Sequence, residues 1–383
     1  MSRHQFSLTE TKIMTTDDMT QWVLPPEWHP QTAVQLTWPH ENTDWKPYLQ
    51  EITATFAELV EAIARYETVW IVAPHAAEVE EMLRRRIKDP GLMKRVRLHA
   101  CDTDDTWTRD HGGIVLLPGN GNGGPAVQAV RPRYLDFRFN GWGEKFAAHN
   151  DNAINRRLFE AGLFDADYED HLDFVLEGGS IESDGKGTVF TTSHCLLAPH
   201  RNQPLDRDGI EEELKRRLRA RRIVWLDHGN LIGDDTDGHI DTIVRTAPDD
   251  TLLYIKCDDV NDEHHEDFVA LEKQLMKLRT PDGKPYRLLP LPMADAVYQD
   301  GERLPATYAN FLVINGAVVC PTYRNEKKDN LALQVIGEAF PRRDVIGIDS
   351  SVIIRQHGSI HCLTMQFPAE VGMSGSSKAK GHS

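Results

Sequence analysis

A lone cysteine, Cys362, follows a glycine–serine step in the run Gln356-His357-Gly358-Ser359-Ile360-His361-Cys362-Leu363-Thr364-Met365-Gln366. Three upstream segments carry the groups that a sulfur nucleophile needs as partners. They are Thr108-Arg109-Asp110-His111-Gly112-Gly113, Leu176-Glu177-Gly178-Gly179 and Asp234-Asp235-Thr236-Asp237-Gly238-His239-Ile240-Asp241. A thiol, an imidazole and several carboxylates suffice for nucleophilic attack on a cationic carbon. An alternating strand from Ile240 would turn His239 and Asp241 to one face, one to handle protons and one to fix a cation. The competing readings are a solvated acidic turn or a calcium loop, but the EF-hand spacing is absent.

Asp110 opens an expected strand, and the glycines beside it remove side-chain bulk where a ligand would approach. Trp107 could stack on a planar guanidinium; equally, Arg109 and Asp110 could form a structural ion pair with Trp107 in the core. Glu177 ends an apolar run, where a carboxylate needs a partner, and an imidazolium would suit it unless Glu177 faces water. Cys101, Cys195, Cys257 and Cys320 read as small buried hydrophobes. His361 would face away from Cys362 on a regular strand, which makes it a poor general base.

A net charge of −16 excludes the basic footprint of a nucleic-acid binder and is compatible with a small cationic substrate. Five widely spaced cysteines without a Cys-x-x-Cys pair suggest neither a disulfide framework nor a zinc ribbon. The residues from Met1 to Asp18 lack the apolar run of a signal peptide, and no transmembrane stretch occurs. A cytoplasmic protein without membrane contact is expected; whether it forms a homo-oligomer is open.

The elements that must hold these groups recur. Helical periodicity at 49–65, 76–86, 210–220, 265–278 and 330–340 is followed each time by a short β-branched run. Four hairpins are expected: 113–117 with 126–130, 180–182 with 188–192, 243–245 with 252–255, and 311–314 with 317–320 across Asn315-Gly316. Their turns fall near positions 121, 185, 249 and 316, roughly 65 residues apart, the mark of a repeated unit. Pairing 33–38 with 359–367 would supply a fifth unit and close a ring, against the alternative of an open doubly wound sheet. A single domain over 20–369 is expected, with a mobile tail over 370–383.

Together these segments resemble the guanidine-modifying enzymes of the pentein fold, specifically the agmatine deiminases and related bacterial peptidylarginine deiminases. The likeness runs from Leu24-Pro25-Pro26-Glu27-Trp28 and Leu36-Thr37-Trp38-Pro39 to Cys362-Leu363-Thr364-Met365-Gln366. It implies an α/β fold, a five-bladed α/β propeller, which agrees with the repeat count. It also implies Cys362 as nucleophile, His239 as general acid/base and Glu177 as that histidine's hydrogen-bond partner. Asp110 and Asp241 would grip the guanidinium, Trp107 would wall it, and Asp235 would face the substrate's distal amine. The implied reaction converts agmatine to N-carbamoylputrescine and ammonia through a covalent thiouronium, with no metal or cofactor. One departure stands out: plant members carry Gly-Gly-Gly-Asn before Ile-His-Cys, where this chain has Gln356-His357-Gly358-Ser359. That resembles a bacterial subgroup and leaves tail recognition open.

Free arginine or peptidylarginine are the alternative substrates. A zinc hydrolase using His194-Cys195, His264-His265 or His361-Cys362 is a second class, although adjacent residues diverge on a strand. A polyamine-binding protein without catalysis is a third.

Overall fold

A computed structural model describes residues 22–119 and 130–373. Its organising element is a hairpin, a helix and a third strand that returns parallel to the second. A parallel return cannot be made by a tight turn, so each unit needs its crossover helix. In the second unit, Ile114–Pro118 pairs antiparallel with Arg133–Arg138, and Asp167–Val175 lies parallel beyond it, after helix Asp151–Glu160. The third comprises Ile181–Ser183, Thr188–Thr192, helix Arg207–Leu218 and Arg222–Leu226. The fourth comprises Val244–Ala247, Thr251–Lys256, helix His265–Lys277 and Arg287–Pro292. The fifth comprises Leu312–Ile314, Ala317–Thr322, helix Glu326–Ala339 and Asp344–Asp349.

The first unit is assembled from distant parts of the chain. Gln31–Thr37 pairs antiparallel with Thr364–Pro368, and after helix Leu49–Ala64 the strand Thr68–Ala73 lies parallel to it. Val96–Ala100 extends this sheet after helix Ala76–Arg86. The sheets are separate, each with its own edges.

Local sequence explains the helices. Ile52, Phe56, Leu59, Val60 and Ile63 form one buried stripe on Leu49–Ala64. The Asp206 and Asn325 side chains accept from Gly209 N and Lys328 N, capping the crossover helices of the third and fifth units. Among the described residues, no helix is long and apolar enough to cross a membrane.

Three expectations need correction. The partner of Ile114–Pro118 is Arg133–Arg138 rather than 126–130; the strand starts after Pro132, whose nitrogen has no hydrogen to donate to a ladder. Residues 126–129 lie outside the described residues. Order also continues past position 369: Val371 is fully buried and Gly372–Met373 pairs with Phe164–Asp165, so residues 370–373 are no free tail. Residues 20–21 and 374–383 lie outside the described residues.

The third correction concerns the segments that lead into the first strand of each unit. They are single helical turns, not the starts of strands: Thr108–His111, Gly178–Ser180, Ile240–Thr242 and His361–Leu363. In the fifth unit Asn310 holds the equivalent place, just before Leu312–Ile314. Each turn thus aims side chains past the end of its sheet, and the residues singled out for chemistry lie on or beside these turns.

A buried guanidinium ties the units together. Arg245 donates to Glu182 Oε1 and Glu27 Oε2, both at 2.6 Å, and to the Ala309 carbonyl at 3.1 Å. Glu27 Oε1 also accepts from Val313 N at 2.7 Å, joining the N-terminal segment to the fifth unit. Removing one partner would leave uncompensated buried charge. Arg245→Met is expected to lower the unfolding free energy by about 3–5 kcal/mol, measured by denaturant titration.

Candidate active site

The turns meet around a cleft whose wall includes Asp105, Trp107, Asp110, Trp142, Asp235 and Cys362. Two carboxylates flank the thiol and are held differently. Asp110 Oδ1 accepts from Gly179 N at 3.2 Å, and Oδ2 accepts from the Trp142 indole N–H at 2.9 Å. Burial raises the Asp110 carboxyl to about 6 although the nearby His239 opposes the rise. Asp241 Oδ2 accepts from His361 Nδ1 at 2.7 Å. Burial would raise this carboxyl too, but His361 outweighs it and holds Asp241 below the usual carboxylate range. Asp241 Oδ1 is buried and has no partner among the described residues.

Cys362 Sγ lies 3.4 Å from Asn310 Oδ1 and 3.9 Å from Asp241 Oδ2. Asn310 Oδ1 also accepts from Cys362 N at 3.2 Å, which pins the turn that carries the sulfur. Burial, then the Asp241 and Asp110 charges, push the thiol well above its ordinary value. At rest it is a protonated thiol.

His239 is fully buried, and neither ring nitrogen has a hydrogen-bond partner among the described residues. Burial alone would discharge it. Burial is the largest single influence, but the Asp110 carboxylate, 3.6 Å from Nδ1, together with Cys195 and Glu177 outweighs it, so the ring is held well above its usual range as an imidazolium. Gly179 makes this approach possible: a Cβ there would lie 2.6 Å from His239 Nδ1 and 2.9 Å from Asp110 Oδ1.

This arrangement can seat a planar cation between two carboxylates, beside a sulfur and an acid. The sequence profile of the Porphyromonas-type peptidyl-arginine deiminase family matches residues 23–368. The chain belongs to this family. Its relatives include an agmatine deiminase of Stutzerimonas stutzeri, 32% identical over 94% of this chain and 99% of that protein. Among solved structures, a C. jejuni agmatine deiminase with substrate bound is 36% identical, covering 91% of this chain and 96% of that one at a TM-score of 0.80. A Porphyromonas gingivalis protein provisionally named an arginine deiminase is 49% identical, covering 92% and 99%, at a TM-score of 0.84.

Within this deiminase-family frame most of the expected residues come together, with three changes of detail. Glu177 makes no hydrogen bond to His239; its oxygens accept from Arg201 Nε at 3.1 and 3.4 Å, inside a fully buried ion pair. It still lies close, since donor atoms of Glu177, Cys195 and His239 fall within 4.8 Å of one another. Arg109 turns away from Asp110 towards the His361 carbonyl and Met365 Sδ, so the expected structural ion pair does not form. Trp107 is buried, donates to Asp105 Oδ2 at 3.2 Å and still walls the cleft. Asp235 lies at the mouth, 3.7 Å from His357 Nδ1.

His361 was expected to face away and does not. A helical turn, unlike a strand, lets it reach Asp241 through Nδ1 and Glu27 Oε2 through Nε2, the latter at 2.6 Å. Sequence reasoning also missed Trp142, Asn310, Arg201 and Cys195. Only Trp142 had a local signal, the glycine pair Gly141 and Gly143 around it. Its backbone is left-handed, φ 56°, as are both glycines, and this loop delivers the indole N–H to Asp110.

Two donor sets, Glu177–Cys195–His239 and Glu27–Glu182–His361, have the spacing of metal ligands. Each already contains a carboxylate paired to a buried arginine, Arg201 or Arg245, which opposes a further cation. Because its thiol is raised, Cys362 should react with iodoacetamide at least about tenfold more slowly at pH 7.5 than a free thiol of pKa about 8.5. Its rate should still climb at pH 9, as followed by mass spectrometry of the Cys362 peptide.

Proposed function

We propose that the chain is an agmatine deiminase, converting agmatine and water to N-carbamoylputrescine and ammonia. One observation carries this reading. Asp241 Oδ1 and the His239 imidazolium lack hydrogen-bond partners among the described residues, and the cleft at Cys362 has a described lining that holds Asp44, Asp105, Asp110 and Asp235 and no lysine or arginine. Such a wall attracts a guanidinium and an amine together. It offers nothing to pair with the carboxylate of free arginine, which weighs against arginine as substrate despite the more similar P. gingivalis protein.

Asp110 and Asp241 hold the guanidinium so that its central carbon faces the sulfur. The bound cation offsets the two carboxylates and lowers the cost of forming the thiolate, the thiol's proton passing to solvent through the cleft. The thiolate adds to the carbon; His239 gives its proton to the departing nitrogen and ammonia leaves, with a thiouronium on Cys362. Neutral His239 then takes a proton from water as its oxygen adds to the same carbon. The C–S bond breaks with its electrons going to sulfur, the proton on the new ureido oxygen passes to that thiolate, and the product leaves with Cys362 restored as a thiol. Glu177 acts through position, adding negative charge beside His239, while Trp107 walls the planar group and Asp235 faces the amine. The reading takes the five sheet units as blades of a pseudo-fivefold ring closed by Gln31–Thr37 and Thr364–Pro368, in a cytoplasmic enzyme without metal or cofactor.

Ammonia release from agmatine, arginine and a blocked arginine peptide, measured side by side, tests the substrate. Agmatine should give the highest kcat/KM, and a preference for either other substrate would sink this reading. Cys362→Ser and Cys362→Ala should lose turnover while still binding agmatine by calorimetry; normal turnover in both would favour a different chemistry. Asp110 must be ionised to hold a cation, and its carboxyl gains a proton as pH falls through about 6. kcat/KM for agmatine should therefore fall about tenfold per pH unit below that point, in a pH–rate profile.

A further inference from the structure

The run Gln356-His357-Gly358 lines the mouth of the cleft. Gln356 Nε2 donates to the Asp44 carbonyl at 3.0 Å on one side. His357 Nδ1 lies 2.7 Å from the Gly233 carbonyl on the other. Gly358 must be glycine, because a Cβ would lie 2.1 Å from the Trp107 ring. His357 is the unexpected member. Its backbone is left-handed, φ 64° and ψ 9°, a conformation that glycine adopts without strain and that costs other residues of order 1 kcal/mol.

A strained histidine at a position suited to glycine points to a use for its side chain. Because the Gly233 carbonyl can only accept, Nδ1 carries the ring's hydrogen, and the neutral ring keeps Nε2 as its acceptor. The ring lines the cleft beside Asp235, whose Oδ2 is 3.7 Å from Nδ1. The nearest lysine is otherwise engaged: Lys145 Nζ donates to the Asp235 carbonyl at 2.7 Å and to Asp237 Oδ1 at 2.8 Å. Asp234 is likewise engaged, accepting from the Thr236 hydroxyl at 2.7 Å. The mouth therefore carries the Asp235 carboxylate, with Asp44 across it, and one imidazole acceptor on His357.

We propose that His357 determines specificity for the substrate's tail, its imidazole accepting from a terminal ammonium that Asp235 attracts. The proposal rests on the deiminase reading above and adds the residue that recognises the far end. It accounts for the retained strain, since glycine would relax the backbone and lose the acceptor. The selected guanidines carry an ammonium at the tail; one ending in a methyl group gains nothing from the pair.

The test compares agmatine with pentylguanidine, in which a methyl replaces the terminal ammonium, in the wild type, His357→Gly, His357→Gln and Asp235→Asn. His357→Gly should raise KM for agmatine about tenfold, the size of one hydrogen bond to a charged group. It should leave kcat and the pentylguanidine KM unchanged, and the melting temperature no lower than wild type. His357→Gln, with an acceptor oxygen of similar reach, should recover most of the agmatine KM. Asp235→Asn should raise the agmatine KM by a larger factor than the pentylguanidine KM. An unchanged ratio of the two KM values in His357→Gly overturns the proposal, as does glutamine behaving like glycine. Wild-type protein that releases no ammonia from agmatine overturns the deiminase reading itself, an outcome distinct from any variant effect.

Discussion

The centre of this molecule is a problem of buried negative charge. Glu27, Asp110, Glu177, Glu182 and Asp241 are all at most 9% exposed. Isolated carboxylates at such depth would take up protons, so each must be compensated. The compensation is uneven. Glu27 and Glu182 share the Arg245 guanidinium, and Glu177 has Arg201. Asp110 and Asp241, which flank the sulfur, receive only histidines and neutral N–H groups. Full pairing behind and partial pairing in front leaves an unsatisfied negative potential where a cation would be held.

That potential has an opposite effect on the Cys362 sulfur. The charges that attract a guanidinium also hold the Cys362 thiol protonated, as does burial. The conflict resolves only when a cation enters, because its charge offsets both carboxylates at once. Binding and activation are then one electrostatic event. A reactive sulfur without substrate, open to oxidation or adventitious alkylation, is avoided by the same arrangement.

The local parts of this architecture were legible in the sequence. Helix Ala76–Arg86 and the hairpins around Gly185 and Gly316 follow from periodicity and turn chemistry, which act within a few residues. The acidic and sulfur-bearing segments could be picked out by composition and order. The pairings could not. Glu27 meets Arg245 and His361, and Glu177 meets Arg201, through tertiary approach that no local pattern encodes. The error over His361 has a definite origin: alternation was assumed for a strand where the chain makes one helical turn, which rotates the side chain towards Asp241. Likewise the β-branched pattern at 126–130 points to a partner for Ile114–Pro118 before Pro132, whereas the pairing strand starts after it.

The pairing of Gln31–Thr37 with Thr364–Pro368 has a consequence for how the protein is made. Leu36 lies opposite Thr364, two residues beyond the sulfur, so Gln31–Thr37 waits for a partner synthesised far later. Such long-range closure is slow and comes late in folding. A ribosome must deliver everything between Asp110 and Cys362 before the sulfur can meet the carboxylates that flank it.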